Sequence, residues 1–229
     1  MKRFYKDVTV GQEDGGFRVM LDGRGIRTQG GKPQIVPTAA LAQAMAAEWA
    51  DQGETLDTAR FTFRDMADYA IDVIVPAPDA ARADLLPYAE TDTLCYRAEP
   101  DEPLAARQRL LWEPLVTMAE AQNGVAFTRV AGIIHKPQPD ATLAALRQRL
   151  DAVSPFALAA LSSTTTLSAS LIIGLAALDP AADIDALWDA ACLEEDWQAE
   201  LWGKDEQALA RRALRAQAFA SAAQFARLL

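Results

Sequence analysis

The N-terminal part of the chain alternates between short apolar runs and glycine-containing polar breaks. Phe17 to Leu21 and Ile26 to Thr28 flank Asp22-Gly23-Arg24-Gly25, the pattern of a β-hairpin closed by a tight turn. Gly30-Gly31 followed by Ile35-Val36 predicts a further turn and strand. Pro37-Thr38 then marks a helix start, because a threonine hydroxyl accepts a bond from an unpaired first-turn amide. From Ala39 to Asp51 the positions Leu41, Met45, Glu48 or Trp49, and Gln52 recur about once per helical turn. Phe61 to Val75 reads as a second helix presenting Met66, Tyr69, Ala70 and Val73, and it stops before Pro76-Ala77-Pro78, since the residue ahead of a proline is pushed out of helical backbone. Pro76 to Asp79 reads as a hinge.

Beyond the hinge the pattern turns helical. Asp84 to Tyr88 continues as helix, Thr93-Leu94-Cys95-Tyr96 reads as a short extended piece, and Leu104 to Ala121 forms a helix with Trp112 and Leu115 inward. Val125-Ala126-Phe127 and Ile133-Ile134 flank a Gly132-containing segment of strand or extended loop. From Pro139 onward every strong signal is helical: Leu143 to Leu150, a start at Ser154-Pro155, a helix over about Asp183 to Trp202 that stops at Gly203, and a last one from near Asp205. The fold class predicted is α+β. A small β-rich N-terminal domain with one or two helices spans residues 1–78, and a larger, mostly α-helical domain spans 79–229. No fixed-period repeat is present, which argues against a solenoid.

Phe156 to Leu178 carries no charge and as one helix would be roughly 35 Å long, enough to span a bilayer. Its middle is crowded with Ser162, Ser163, Thr164, Thr165, Thr166, Ser168 and Ser170, which weaken insertion, so a buried helix or helix pair is predicted instead. These hydroxyls lack a nucleophile elbow and are assigned to back-bonding onto helix carbonyls.

Charge narrows the partners. Among 229 residues, Lys and Arg number 22 against 32 Asp and Glu, a net charge of −10, so the field repels nucleic-acid phosphates and anionic membranes. Cys95 and Cys192 lack CxxC spacing and His135 is the single histidine, which disfavours a structural metal and Ser-His or Cys-His catalysis. The cluster Gly23, Gly25, Gly30, Gly31 matches no phosphate-loop pattern and is assigned to turns; His135 is assigned to a loop. The N-terminus shows neither an apolar signal core nor a transit segment.

The most informative stretch is Leu187 to Gly203. A continuous helix there places Trp188, Cys192, Glu195, Ala199 and Trp202 on one stripe, with Asp189, Asp196 and Glu200 opposite. Glu195 then interrupts an apolar face, where a lone buried carboxylate costs several kcal/mol, so it meets an internal arginine or awaits a basic partner. Glu194 lies on the adjoining stripe and poses the same question. Trp49 is expected to pack between the domains, while Asp92 and Arg97 are expected to pair and fix the chain entering the helical domain.

Taken in order, Arg3-Phe4-Tyr5-Lys6, Leu21-Asp22-Gly23-Arg24, Pro37-Thr38 with Leu41-Ala42 and Glu48-Trp49, Thr91-Asp92-Thr93-Leu94-Cys95-Tyr96-Arg97, Gln108 with Trp112-Glu113-Pro114-Leu115, and Glu194-Glu195-Asp196-Trp197-Gln198 with Trp202-Gly203 resemble the F1-ATPase assembly chaperones that bind the free α subunit of ATP synthase. The resemblance covers nearly the whole chain. It implies a β-rich domain followed by a helical one, no catalytic activity, no cofactor or metal, and a transient α-subunit partner. The carboxylate of the family's C-terminal Glu-rich motif maps onto Glu195, with Glu194 as the neighbour. The sequence departs from the family at Gln29-Gly30, where a proline is common after Arg-Thr.

On this reading the chain covers the apolar surface of α, prevents its aggregation and releases it to β. Trp188, Trp197, Trp202 and Gln198 supply the contact, and Glu195 or Glu194 pairs with a basic group. Trp49, Asp92, Arg97 and Trp112 are structural. A bacterial cytoplasmic setting is implied, or the mitochondrial matrix for a processed organellar homologue. The reading expects no nucleic acid, membrane insertion or small-molecule substrate. The alternative is a small-molecule enzyme using Glu194 or Glu195 with Asp92 as an acid/base pair in an interdomain cleft.

Overall fold

The computed structural model describes residues 1–132, 134–203 and 205–229, so Ile133 of the expected extended segment lies outside the described residues. The chain divides into two compact units: Met1–Pro78 with Ser154–Ala160 and Gln224–Leu229, and Asp79–Val153 with Leu161–Ala223.

In the first unit β1 (Val8–Glu13), β2 (Gly16–Leu21) and β3 (Arg24–Gly25) form an antiparallel sheet in that order. The β2–β3 hairpin pairs Leu21 with Arg24 across Asp22-Gly23, both at positive φ (48° and 75°), the left-handed pair that a two-residue hairpin loop requires. Asp22 serves the turn further, accepting from the amides of Lys6 (3.0 Å) and Asp7 (2.8 Å), bonds that hold its carboxyl below the usual carboxylate range. β1 goes beyond the predicted hairpin. Its Val8-Thr9-Val10 alternation is interrupted by Gly11, which weakens the strand signal. The predicted Ile35-Val36 strand is a single bridge, with Phe17 and Val36 exchanging backbone bonds at 2.9 and 2.8 Å.

α1 (Ala39–Ala50) starts where Thr38 accepts from the Leu41 amide and buries Leu41, Ala42, Met45 and Trp49. Trp49 packs within this unit, its indole 5.5 Å from the Tyr5 ring and 4.4 Å from that of Phe61, rather than between domains as expected. Its neighbour Glu48 accepts from the Phe63 and Arg64 amides at 2.6 and 3.0 Å, so the Glu-Trp pair caps the next helix and fills the core at once. That helix, α2 (Thr62–Tyr69), continues into a π-helical turn over Ala70–Ile74 and ends before Pro76. Asp68 and Asp72 accept from the amides of Gln29 (3.2 Å) and Gly30 (2.8 Å). A proline at position 29 would lack the amide that Asp68 binds.

The second unit is helical: α3 (Pro78–Leu85, from the boundary residue), α4 (Pro87–Glu90), α5 (Pro103–Asn123), α6 (Asp140–Asp151), α7 (Pro155–Ser168, whose start belongs to the first unit), α8 (Leu171–Ala176), α9 (Ile184–Ala191), α10 (Leu193–Trp202) and α11 (Glu206–Arg227, whose end belongs to the first unit). The expected extended piece at residues 93–96 is mainly a 3-10 turn, Thr93–Cys95, followed by β4 (Tyr96–Arg97), which pairs in parallel with β5 (Val130–Ala131). The uncharged stretch is broken at Ala169 (φ 51°) and Ser170, which caps α8, giving a helix pair. Among the described residues no helix is long and apolar enough to cross a membrane. Ser168 bonds back to the Thr164 carbonyl (2.7 Å) and Thr166 to that of Ser162 (2.8 Å).

The expected continuous helix from Asp183 to Trp202 is also two helices. Cys192 (φ −95°, ψ 5°) ends α9 and precedes α10. Trp188 and Cys192 before the break are buried, whereas Glu195 and Trp202 after it are exposed, so the stripe drawn by uninterrupted helical spacing is not one face.

Candidate functional site

β4, the start of α5 and α10 surround a cup of about 700 Å³ lined by Tyr96, Arg97, Ala98, Glu99, Glu102, Leu104, Gly132, Glu194, Trp197 and Gln198. The side chain that organises it is Gln108, buried one turn and a half into α5. Its Nε2 donates to Glu194 Oε1 (2.9 Å), its Oε1 accepts from the Ala98 amide (2.7 Å), and its backbone carbonyl accepts from Arg97 Nη1 (3.2 Å). One glutamine thus ties the β4 exit to the first turn of α10. Arg97 is fully committed, donating from Nε to the Leu94 carbonyl (2.7 Å) and pairing through Nη2 with Glu113 (3.1 Å). Glu113 also pairs with Arg129 (2.6 Å), which in turn pairs with Glu120. Among the described residues the one cation lining the cup is therefore already engaged, leaving Glu99, Glu102 and Glu194 to set the local field beside the Trp197 indole.

α10 is held on its other side by charge. Glu195 receives Arg215 through Nη1 at 2.9 and 3.2 Å, and Asp196 receives Arg212 at 2.7 Å. Arg107 from α5 pairs with Glu200 (2.8 Å) and lies 4.6 Å from the centre of the Trp197 ring. Carboxylates at residues 194–196 also sit in the first turn of α10, where the helix dipole favours negative charge.

The sequence-predicted residues separate into groups. Glu194, Trp197 and Gln198 line the cup. Glu195 is exposed but turned to Arg215, the internal arginine that was one of its two anticipated fates. Trp202 is 79% exposed at the end of α10. Trp188 is only 4% exposed, its ring 5.3 Å from Phe219, so it is a core residue and not a contact surface. Trp112 is buried and donates its indole N–H to the Ala190 carbonyl at 2.7 Å.

Asp92 and Arg97 do not pair. Asp92 is completely enclosed and accepts from the Leu94 amide (3.0 Å), Ser170 Oγ (2.7 Å) and the Ile172 amide (3.0 Å), joining the 3-10 turn to the N-terminus of α8. Burial drives its carboxyl up to about 6, against the bonds from Ile172, Ser170 and Leu94. An enclosed Asp92 cannot share a substrate with Glu194 or Glu195, which removes that acid/base pair. Burial likewise pushes the Cys95 thiol to about 12 and the Cys192 thiol to about 11, far from the thiolate range. Among the described residues no group of His, Cys, Asp or Glu is placed to hold a metal ion.

Glu99 and Glu102 were not singled out by sequence reasoning. They stand in Glu99-Pro100-Asp101-Glu102, which reads as a solvated acidic lead into α5, and only the approach of α10 turns that lead into one wall of a cup.

Comparison with known proteins agrees with this architecture. The family model described as ATP12 chaperone protein matches residues 2–120, slightly more than half of the chain. "Protein atp12, mitochondrial" of Schizosaccharomyces pombe is 25% identical over 219 residues, covering 90% of this chain and 75% of that protein. The Saccharomyces cerevisiae protein of the same description is 26% identical over 250 residues, covering 90% and 77%. The crystal structure of Atp12 from Paracoccus denitrificans superposes with a TM-score of 0.95 at 36% identity over 99% of this chain and 97% of that one. The Atu1473 protein, a putative chaperone from Agrobacterium tumefaciens, gives a TM-score of 0.94 at 39% identity over 99% and 85%.

Proposed function

The chain belongs to the ATP12 chaperone family of F1-ATPase assembly, and from that premise we propose that it holds the unassembled α subunit, keeps it from aggregating and yields it to β without catalysing a reaction. The observation that carries the reading is the carboxylate of Glu194 at the rim of an acidic and aromatic cup. Gln108 fixes one of its oxygens at 2.9 Å, and among the described residues the other oxygen has no partner. A cationic side chain of the client suits this receptor, because carboxylates and the Trp197 ring both attract it. Glu195 supplies a second, exchangeable contact: its pair with Arg215 is exposed, and such pairs hold by only about 0–1 kcal/mol. Trp202 and Gln198 extend the contact into solvent. An arriving β subunit that covers the same α surface displaces the chaperone by competition. In a bacterial cell this takes place in the cytoplasm.

Light scattering after dilution of denatured α subunit, with and without stoichiometric chain, tests the proposal. Suppression is expected for α and not for an unrelated aggregating protein, with reversal on adding β. Glu194→Lys is expected to lose most of the protection and Glu195→Lys part of it. Undiminished protection by both variants would remove the site assignment, and equal suppression for every client would remove the dedicated role.

A further inference from the structure

Away from the cup, α5, the end of α8 and α9 border an open groove of about 780 Å³. We infer that this groove is a docking site for an amphipathic α-helix with a basic edge, contributed by the client. The inference rests on the holding reading only in assigning that helix to the client; the preference for a helix stands on the groove itself.

One wall is apolar without being covered. Along α5, Trp112, Val116 and Ala119 are buried, yet Leu110 is 72% exposed and Met118 39%. Leu111, Leu115 and Met118 follow one another by a helical turn, so the wall is a ridge of the spacing that packs against another helix. The facing wall, from α9, carries the small exposed side chain of Ala186, which lets a guest backbone come close. Both walls are helical and, the Leu110 carbonyl apart, satisfy their own backbone groups within the helix, so an extended guest would surrender bonds to water and gain almost none. A helical guest brings its backbone bonds with it. Pro114 adds a polar handle, since it cannot donate to the Leu110 carbonyl in the way an ordinary helical residue does.

Charge selects the guest's edge. Asp179 spends one oxygen on the Ala181 amide (2.8 Å) and Asp183 one on the Ala186 amide (3.0 Å). Neither forms an ion pair among the described residues, and together they outweigh Arg149, the cation lining the groove. Two copies of a chain with net charge −10, each presenting this acidic groove, repel, which favours a basic guest over self-association.

The probe is a fluorescein-labelled synthetic peptide with leucines at helical spacing bordered by lysines, titrated by anisotropy against the full chain. Its controls are the same residues rearranged to strand alternation, and a version with glutamates for lysines. The helical lysine peptide is expected to bind at least roughly tenfold more tightly than either control, a difference of one good contact. Met118→Glu and Asp179→Lys, both at exposed positions, are each expected to weaken it several-fold, with a cooperative thermal melt showing that each variant is still folded. Excess peptide is expected to compete with the chain's protection of α. Equal binding of all peptides, unaltered binding by both variants, or a dimer in sedimentation that Met118→Glu abolishes would overturn the inference. Protection of α that the peptide does not disturb would overturn the client assignment while leaving the holding reading intact. Peptide binding by a chain that fails to protect α would do the reverse.

Discussion

Asp92 is a fully buried carboxylate whose chemistry departs from its ordinary behaviour. Burial raises its carboxyl from 3.8 to about 6, so the folded chain keeps this proton more tightly than the unfolded one. The stabilising contribution is then full below the unfolded value and is lost as pH rises through about 6. Urea unfolding at a series of pH values is expected to show that decline in the parent and its disappearance in Asp92→Asn. The same variant is expected to lose ~1–3 kcal/mol at neutral pH, because an amide turns a donor toward groups that need an acceptor. Gln108 makes the complementary case. Gln108→Ala leaves the Ala98 amide without its acceptor and Glu194 without its tether, so ~1–3 kcal/mol of stability is expected to go. If the cup works as proposed, client protection falls in this variant while Glu194 itself is still present, and restoring the amide one carbon shorter with Gln108→Asn does not recover it.

At the scale of elements, the decisive features are two breaks in helical runs. Ala169 and Ser170 split the uncharged stretch so that α8 folds back, and Gly174 then lies against Thr165 of α7 so closely that an added Cβ collides with the threonine hydroxyl and approaches Leu161 within 3.1 Å. Gly174→Ala is expected to cost about 1–3 kcal/mol by overpacking, despite alanine's better helix propensity, and a thermal melt reads the sign directly. Cys192 makes the second break. It leaves Trp188 in the core beside Phe219 while the next helix turns Glu194 and Trp197 to the cup and Glu195 to Arg215.

At the scale of the whole molecule, neither compact unit is a single continuous stretch of the chain. The first unit contains residues 1–78 together with Ser154–Ala160 and Gln224–Leu229. Phe225 is fully buried there, its ring 6.5 Å from those of Phe63 and Phe156, and Thr38 donates to the Leu228 carbonyl. Phe225→Ala is expected to destabilise by about 3–5 kcal/mol, and a fragment ending at Pro78 is expected to give the circular dichroism and hydrogen exchange of an incompletely folded chain. Net charge acts at this scale too. With −10 overall, association with a basic client surface is expected to slow several-fold as ionic strength rises, an effect on the association rate that stopped-flow mixing resolves from dissociation.

Much of the local structure was legible in the sequence because it depends on groups a few residues apart. The Asp22-Gly23 turn, the Thr38 cap, the glycine stop at Gly203 and the helix ending before Pro76 all arise from backbone sterics and near-neighbour hydrogen bonds. Partner choice was not. Periodicity assigns a side chain to a face and says nothing of what that face meets, so pairing Asp92 with Arg97 was the natural local guess. The fold instead carries Ser170 and Ile172 to Asp92 and Glu113 to Arg97. The sequence by itself determined most of the element types, the acidic field and the motifs that mark the family. Only the tertiary structure decided that Glu194 meets Gln108, that Glu195 meets Arg215, and that Trp188 is interior, because those contacts join residues about twenty to ninety apart, beyond the reach of any rule acting within a helical turn.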